Sequence, residues 1–235
     1  MSTEIHTTRR LTLACGVLFL ITFVTSISAL ALFQPVLDDP AGYIAGPGAD
    51  GRVLLGVVFE LVLILANVGS AVVLVPLFHR GSDHMLSIGF VTARIVESTF
   101  IAAGVLGVLG IVSLRHDDPS AASLAVSLAA MKDWTFLLGP GLVCGLGNGV
   151  ILGALMFRSG LVPKRMTMLG LVGGPLLTAV GVAVVLGAFP AGGAVQAIAT
   201  VPEFLWELSL GLYLTATGLR GSSGIGAAAR IAGPQ

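Results

Sequence analysis

Residues 53–78 read VLLGVVFELVLILANVGSAVVLVPLF, and Glu60 is the one ionisable side chain in the whole stretch. A bilayer core is crossed by about 20 helical residues, so this run predicts a transmembrane helix. Runs of the same kind recur at 11–33, 85–114, 133–157, 166–189 and 195–218. Together they predict an all-α polytopic membrane protein, a bundle of six transmembrane helices. The breaks between runs carry Pro, Gly and charge, as loops do. The stretch 119–131 reads either as an interfacial helix leading into the fourth run or as a lengthening of it.

Composition agrees. The chain has 235 residues, 55% of them hydrophobic and 10% charged, with a mean hydropathy of +1.00. A soluble domain carries about 25% charged residues, so this chain has too few to cover a water-facing surface. Formal net charge is zero, which gives nucleic acid no basic field to bind. Residues 1–220 form one transmembrane domain, and the Gly/Ala-rich tail 221–235 reads as flexible.

Basic residues orient the bundle. Arg9, Arg10, Arg80, Arg158, Lys164, Arg165, Arg220 and Arg230 fall on one side; Arg52, Arg115 and Lys132 fall on the other. The positive-inside rule then predicts that both termini are cytoplasmic. Arg9 and Arg10 before an apolar run could also open a secretory signal. The run exceeds the roughly 7–15 residues of a signal core, so an uncleaved first helix is expected.

Five ionisable side chains sit deep inside the runs: Glu60, Arg94, Glu97, Glu203 and Glu207. A charge at bilayer depth costs on the order of 3 kcal/mol and marks a functional candidate. Arg94 and Glu97 are three apart and Glu203 and Glu207 four apart, so each pair shares a helix face. Asn67 lies on the face of Glu60, and Asn148 on the fourth run can join them. At 1.5 Å per residue, Glu60 lies roughly 10 Å from one end of its run, and Glu203 and Glu207 roughly 12 and 18 Å from the same side. Arg94 and Glu97 lie about 14 and 18 Å from the opposite side. These depths allow one connected polar interior.

Arg94 balances one carboxylate and leaves three. Burying three unbalanced charges in a low-dielectric core is costly. At least two of Glu60, Glu97, Glu203 and Glu207 are therefore expected to carry protons at neutral pH, unless water or a cation reaches them. Three uses of such an interior compete: a network that fixes helix register, a pocket for an amphipathic ligand, and acid catalysis or proton-coupled transport. No internal repeat is visible, which counts against a transporter. The reading carried forward is a site that binds or processes a small hydrophobic or amphipathic molecule. In it Glu60 and Glu207 are the catalytic acids, as in a cyclase or isomerase, and Arg94, Glu97, Glu203, Asn67 and Asn148 bind substrate. The alternative is a non-enzymatic structural protein.

No cofactor and no metal are expected. None of the four histidines is central to a run, there is no phosphate-binding loop and no nucleophile elbow, and Cys15 and Cys144 read as small buried hydrophobes. Besides membrane lipid, a second copy of the chain is a candidate partner. Gly141, Gly145, Gly149 and Gly153 line one helix face, and such stripes let backbones approach closely, within a chain or between two. Gly104, Gly107 and Gly110 make a shorter stripe.

The segments 93–97 (ARIVE), 157–164 (FRSGLVPK), Leu169-Gly170 and Trp206-Glu207-Leu208 resemble a bacterial membrane family, domain of unknown function 4386. The resemblance runs from about residue 8 to 219. It implies a six- or seven-helix bacterial membrane protein with no assigned activity, for which the cytoplasmic membrane is the expected location, and it puts Arg94, Glu97 and Glu207 on recurrent polar positions. In the 157–164 turn, Gly160 and Pro163 are expected to end one helix and shape the return. Arg158, Lys164 and Arg165 would anchor topology there.

Overall fold

A computed structural model describes residues 2–78, 81–118 and 120–217. The 221–235 tail, Arg80, Arg220 and Arg230 lie outside the described residues. Among the described residues the chain is helical throughout, with no strand. The helices are α1 (Ser2–Leu37), α2 (Pro40–Ala45), α3 (Asp50–Leu74), α4 (Gly81–Asp117), α5 (Ala122–Ser159), α6 (Lys164–Val185) and α7 (Ala194–Ala216). Five of them, α1, α3, α4, α5 and α6, are long and apolar enough to cross a membrane. α7 has the length, at 23 residues, but Glu203, Glu207 and Gln196 make it less apolar.

The six long helices close into a ring. Each packs on the next in chain order, and α7 returns to α1. Inside the ring are two separate apolar cores. One, near α2, joins Phe33, Val36, Tyr43, Val53, Val108 and Ile111. The other, near the 157–164 turn, joins Phe19, Leu74, Phe90, Leu155, Trp206 and Leu210. The buried ionisable groups lie in the layer between them. Outward faces carry large apolar side chains such as Leu65 at 73% and Leu106 at 69% exposure, a surface that suits lipid better than water.

The ambiguous stretch before the fourth run resolves as a lengthening. Helix α5 begins at Ala122 and continues through Lys132 without a break. Its middle is wound with wide π turns over Leu137–Val143 and Gly145–Leu152. Pro140 explains why. It has no N–H to reach four residues back, and the surrounding glycines tolerate a wider turn. Cys144 N–H accordingly reaches Gly139 O, and Gly153 N–H reaches Asn148 O, each five residues back.

The glycine stripe of α5 makes its close approach within the chain. A Cβ on Gly145 would stand 2.7 Å from Gly174 O, and one on Gly149 would stand 2.3 Å from Gly174 Cα. Gly153 faces Leu171, also of α6. Gly141 touches only its own helix. On α4, Gly104 makes room for Lys132 and Thr135 of α5. At the 157–164 turn, Gly160 ends α5 with φ of 65° and Pro163 caps α6, as expected from the sequence.

A polar clasp closes the α2 end. Arg115 of α4 donates to Asp50 Oδ2 and to the carbonyls of Gly46 and Pro47. Tyr43 donates to Asp50 Oδ1 at 2.5 Å. Burial, and then that bond to a carboxylate, push the Tyr43 phenol above its usual range. Charged hydrogen bonds contribute about 1.5–3 kcal/mol each, so Arg115→Leu should cost on the order of 2 kcal/mol. The expected readout is faster proteolysis within residues 38–49 at unchanged overall helicity. Unaltered cleavage would show that the clasp does not hold this loop.

Candidate functional site

The buried layer contains two ion pairs. In the first, Arg94 Nη1 meets Glu97 Oε2 at 2.8 Å, one helical turn away on α4. Asn67 of α3 donates to the other oxygen of Glu97 at 3.3 Å. The Arg94 guanidinium also lies over the rings of Phe19 at 5.3 Å and Phe90 at 5.5 Å, so apolar neighbours hold part of its charge. Its Nε and Nη2 are buried with no hydrogen-bond partner.

The second pair overturns part of the sequence reading. Lys132, placed on an outer loop when the basic residues were counted, is buried on α5, and its Nζ meets Glu60 Oε1 at 2.5 Å. Its ammonium stands 5.2 Å from the centre of the Phe33 ring. The apolar run itself starts only at Asp133, one residue after Lys132. The helix begins at Ala122, which puts Lys132 in its third turn. Glu60 therefore has the cation that the sequence count withheld from it, and the unbalanced acids are two, Glu203 and Glu207. Of the three basic residues assigned to the α2 side, this leaves Arg52 and Arg115.

Those two acids stand on α7 and face α5. Glu207 Oε1 accepts from Cys144 Sγ at 2.9 Å and from the amide of Asn148. Glu203 is 2% exposed, and neither of its oxygens has a partner. It is wedged among glycines: a Cβ on Gly149 would lie 2.6 Å from Glu203 Oε2, and Gly173 lies against its backbone. Trp206, fully buried between the two acids in sequence, donates from Nε1 to Asn148 O at 2.9 Å. Gly170 leaves the space its ring fills.

A cavity of about 260 Å³ joins these groups. Glu60, Asn67, Arg94, Glu97, Glu203 and Glu207 all line it. Asn148 is one shell out, linked through Glu207 and Cys144. Lys132, Thr135 and Cys144 line it too, and none of the three is a site residue by the sequence reading. For Cys144 a signal existed, since it sits four residues before Asn148 on the same face. Most of the remaining lining is apolar, with Thr22, Ser26, Asp133 and Thr200 as the polar exceptions, and Ile27, Leu30, Phe136 and Phe204 are surface-exposed as well. The cavity therefore opens sideways, between α1, α5 and α7.

No curated protein and no solved structure is detectably similar to the chain. The family model described as Domain of unknown function (DUF4386) matches residues 14–218, nearly the whole helical ring. That span takes in both ion pairs, the Cys144–Glu203–Glu207 cluster and every residue lining the cavity, and the chain belongs to that family.

Proposed function

We propose that the protein is a six-span protein of the bacterial cytoplasmic membrane, with both termini on the cytoplasmic side, that binds a small hydrophobic or amphipathic molecule in its central cavity. The observation that carries this is the lateral opening, mostly apolar at its mouth, where Asp133 and Thr200 stand beside Ile27, Leu30, Phe136 and Phe204, and polar at its depth. Lipid-soluble guests would enter between α1, α5 and α7. Inside, Arg94 Nε and Nη2, Glu60 Oε2 and both oxygens of Glu203 are buried and unpartnered. Unsatisfied buried polar groups cost about 1–3 kcal/mol each, and a guest with a polar head relieves part of that.

Size narrows the guest. The cavity is slightly under the roughly 300 Å³ at which small-molecule pockets begin. It suits a compact molecule, or the head of a longer one whose tail stays in the mouth. Acid-catalysed cyclisation or isomerisation by Glu60 and Glu207 finds less support than binding, because Lys132 holds Glu60 in an ion pair. The structural reading has its own support. The Lys132–Glu60 and Asn67–Glu97 contacts tie α3 to α5 and α4, and would fix register with no guest at all.

A photoactivatable fatty alcohol in phosphatidylethanolamine–phosphatidylglycerol vesicles separates the two. Adducts are expected to concentrate on Ile27, Leu30, Phe136 and Phe204, and Leu30→Trp should cut them several-fold by filling the mouth. Labelling spread evenly around the outer helix faces, and indifferent to Leu30→Trp, would refute the pocket and leave the structural reading.

A further inference from the structure

Cys144, Glu203 and Glu207 meet at the polar end of the cavity. Cys144 Sγ and one oxygen of each acid all lie within 4.8 Å of one another. Each carboxylate elsewhere in the layer already has its cation: Glu60 has Lys132 and Glu97 has Arg94. These two do not. Both oxygens of Glu203 and Oδ1 of the fully buried Asn148 are without hydrogen-bond partners. The Asn148 amide nitrogen is turned onto Cys144 Sγ at 3.4 Å and onto Glu207 Oε1.

We propose that Cys144, Glu203 and Glu207 form a binding site for a divalent transition-metal ion of the zinc type, with a coordination position left open toward the cavity. Charge supports it, because a doubly charged ion offsets two carboxylates that lack a cation and leaves the site, with its thiolate, at a single negative charge. Ligand chemistry supports it too. Magnesium and calcium take all-oxygen sets, whereas a sulfur among carboxylates selects zinc and its neighbours. With zinc–sulfur near 2.3 Å and zinc–oxygen about 2.0–2.2 Å, ligand atoms of a tetrahedral site stand about 3.5 Å apart. Cys144 Sγ and Glu207 Oε1 are already closer than that, at 2.9 Å. The third ligand needs to close by up to about 1.3 Å to reach the tetrahedral spacing, and Glu203 has no hydrogen bond to break in doing so. Asn148 donates to the same Glu207 oxygen, the kind of support that metal-bound carboxylates receive. Binding converts the Cys144 thiol to a metal thiolate and releases to solvent its proton and any proton that Glu203 or Glu207 held in the metal-free protein.

The metal stands where a proton on Glu203 or Glu207 would otherwise balance the charge. It goes beyond the hydrophobic-ligand reading and does not depend on it. Cobalt(II) is the probe, since sulfur ligation gives it a thiolate-to-metal charge-transfer band in the near ultraviolet. The full chain, with a non-histidine tag, is purified in mild detergent, stripped with chelator and titrated with cobalt. One ion per chain and the band are expected in the wild type and in Cys15→Ala. Cys144→Ser should abolish the band. Glu203→Gln and Glu207→Gln should weaken binding by at least about tenfold, because even outer-shell changes at metal sites cost about 10–100-fold. A wild-type titration without the band overturns the proposal, as does a band that survives Cys144→Ser or is lost in Cys15→Ala. Should Cys144→Ser not fold, unchanged affinity in Glu203→Gln and Glu207→Gln overturns it equally.

Discussion

Replacing Lys132 by Met is expected to prevent accumulation of folded protein unless Glu60 is replaced with it. Lys132 and Glu60 are both about nine-tenths buried or more, at 5% and 6% exposure, and their charged ends meet inside the ring, one from α5 and one from α3. Removing one partner of a buried pair typically costs about 3–5 kcal/mol, since the other charge stays behind unpaired. Against a total stability of about 5–15 kcal/mol that is a large share. Glu60→Leu should fail in the same way, by stranding the ammonium beside Phe33. The double variant Lys132→Met/Glu60→Leu should recover most of the loss, because well-packed apolar replacements of buried pairs are often neutral or better. Thermal denaturation of the four proteins in one detergent, followed by size-exclusion chromatography, measures the cycle. Singles as stable as the wild type would mean that the pair is hydrated and that the ring is open to water at this level.

Two alanines in the same stripe should behave oppositely. At Gly149 a new Cβ would lie 2.3 Å from Gly174 Cα and 2.6 Å from Glu203 Oε2, so backbone has to move and α5 must separate from α6. Overpacking of this kind costs about 1–3 kcal/mol and here also displaces a buried carboxylate. At Gly141 the nearest atoms are 3.7 and 3.8 Å away and belong to the same helix. Gly141→Ala should be neutral or stabilising by up to about 1 kcal/mol, through the lower entropy of the unfolded chain. Melting temperatures of the two variants test this. Equal shifts would deny that the stripe is read by α6.

What the sequence reveals about this ring depends on how local each signal is. Hydrophobic run length locates the long helices because lipid thickness acts on one segment at a time. Spacing of three finds the Arg94–Glu97 pair because both residues share a turn of α4. Gly160 announces its turn because a left-handed cap favours glycine. Lys132 is misread for a different reason. Its partner is 72 residues away, and nothing near it distinguishes a lysine in a helix's third turn from one at a helix start. Cys144 is likewise silent by itself. Only the return of α7 to α5 puts an acid against its sulfur. The closure of α7 onto α1, which makes a cavity out of separate polar faces, has no local signature at all.

The sideways mouth changes what drives occupancy. For a chain embedded as proposed, a guest passing Leu30 and Phe204 leaves one hydrocarbon phase for another. Water is never displaced from its tail, so the transfer energy that governs most apolar binding nearly cancels. Selection among guests then falls almost wholly to the few polar atoms at the inner end. Affinity expressed per litre of buffer would misstate it. The meaningful concentration is the mole fraction of guest in the bilayer, and dilution with more lipid should empty the cavity as surely as removing the guest.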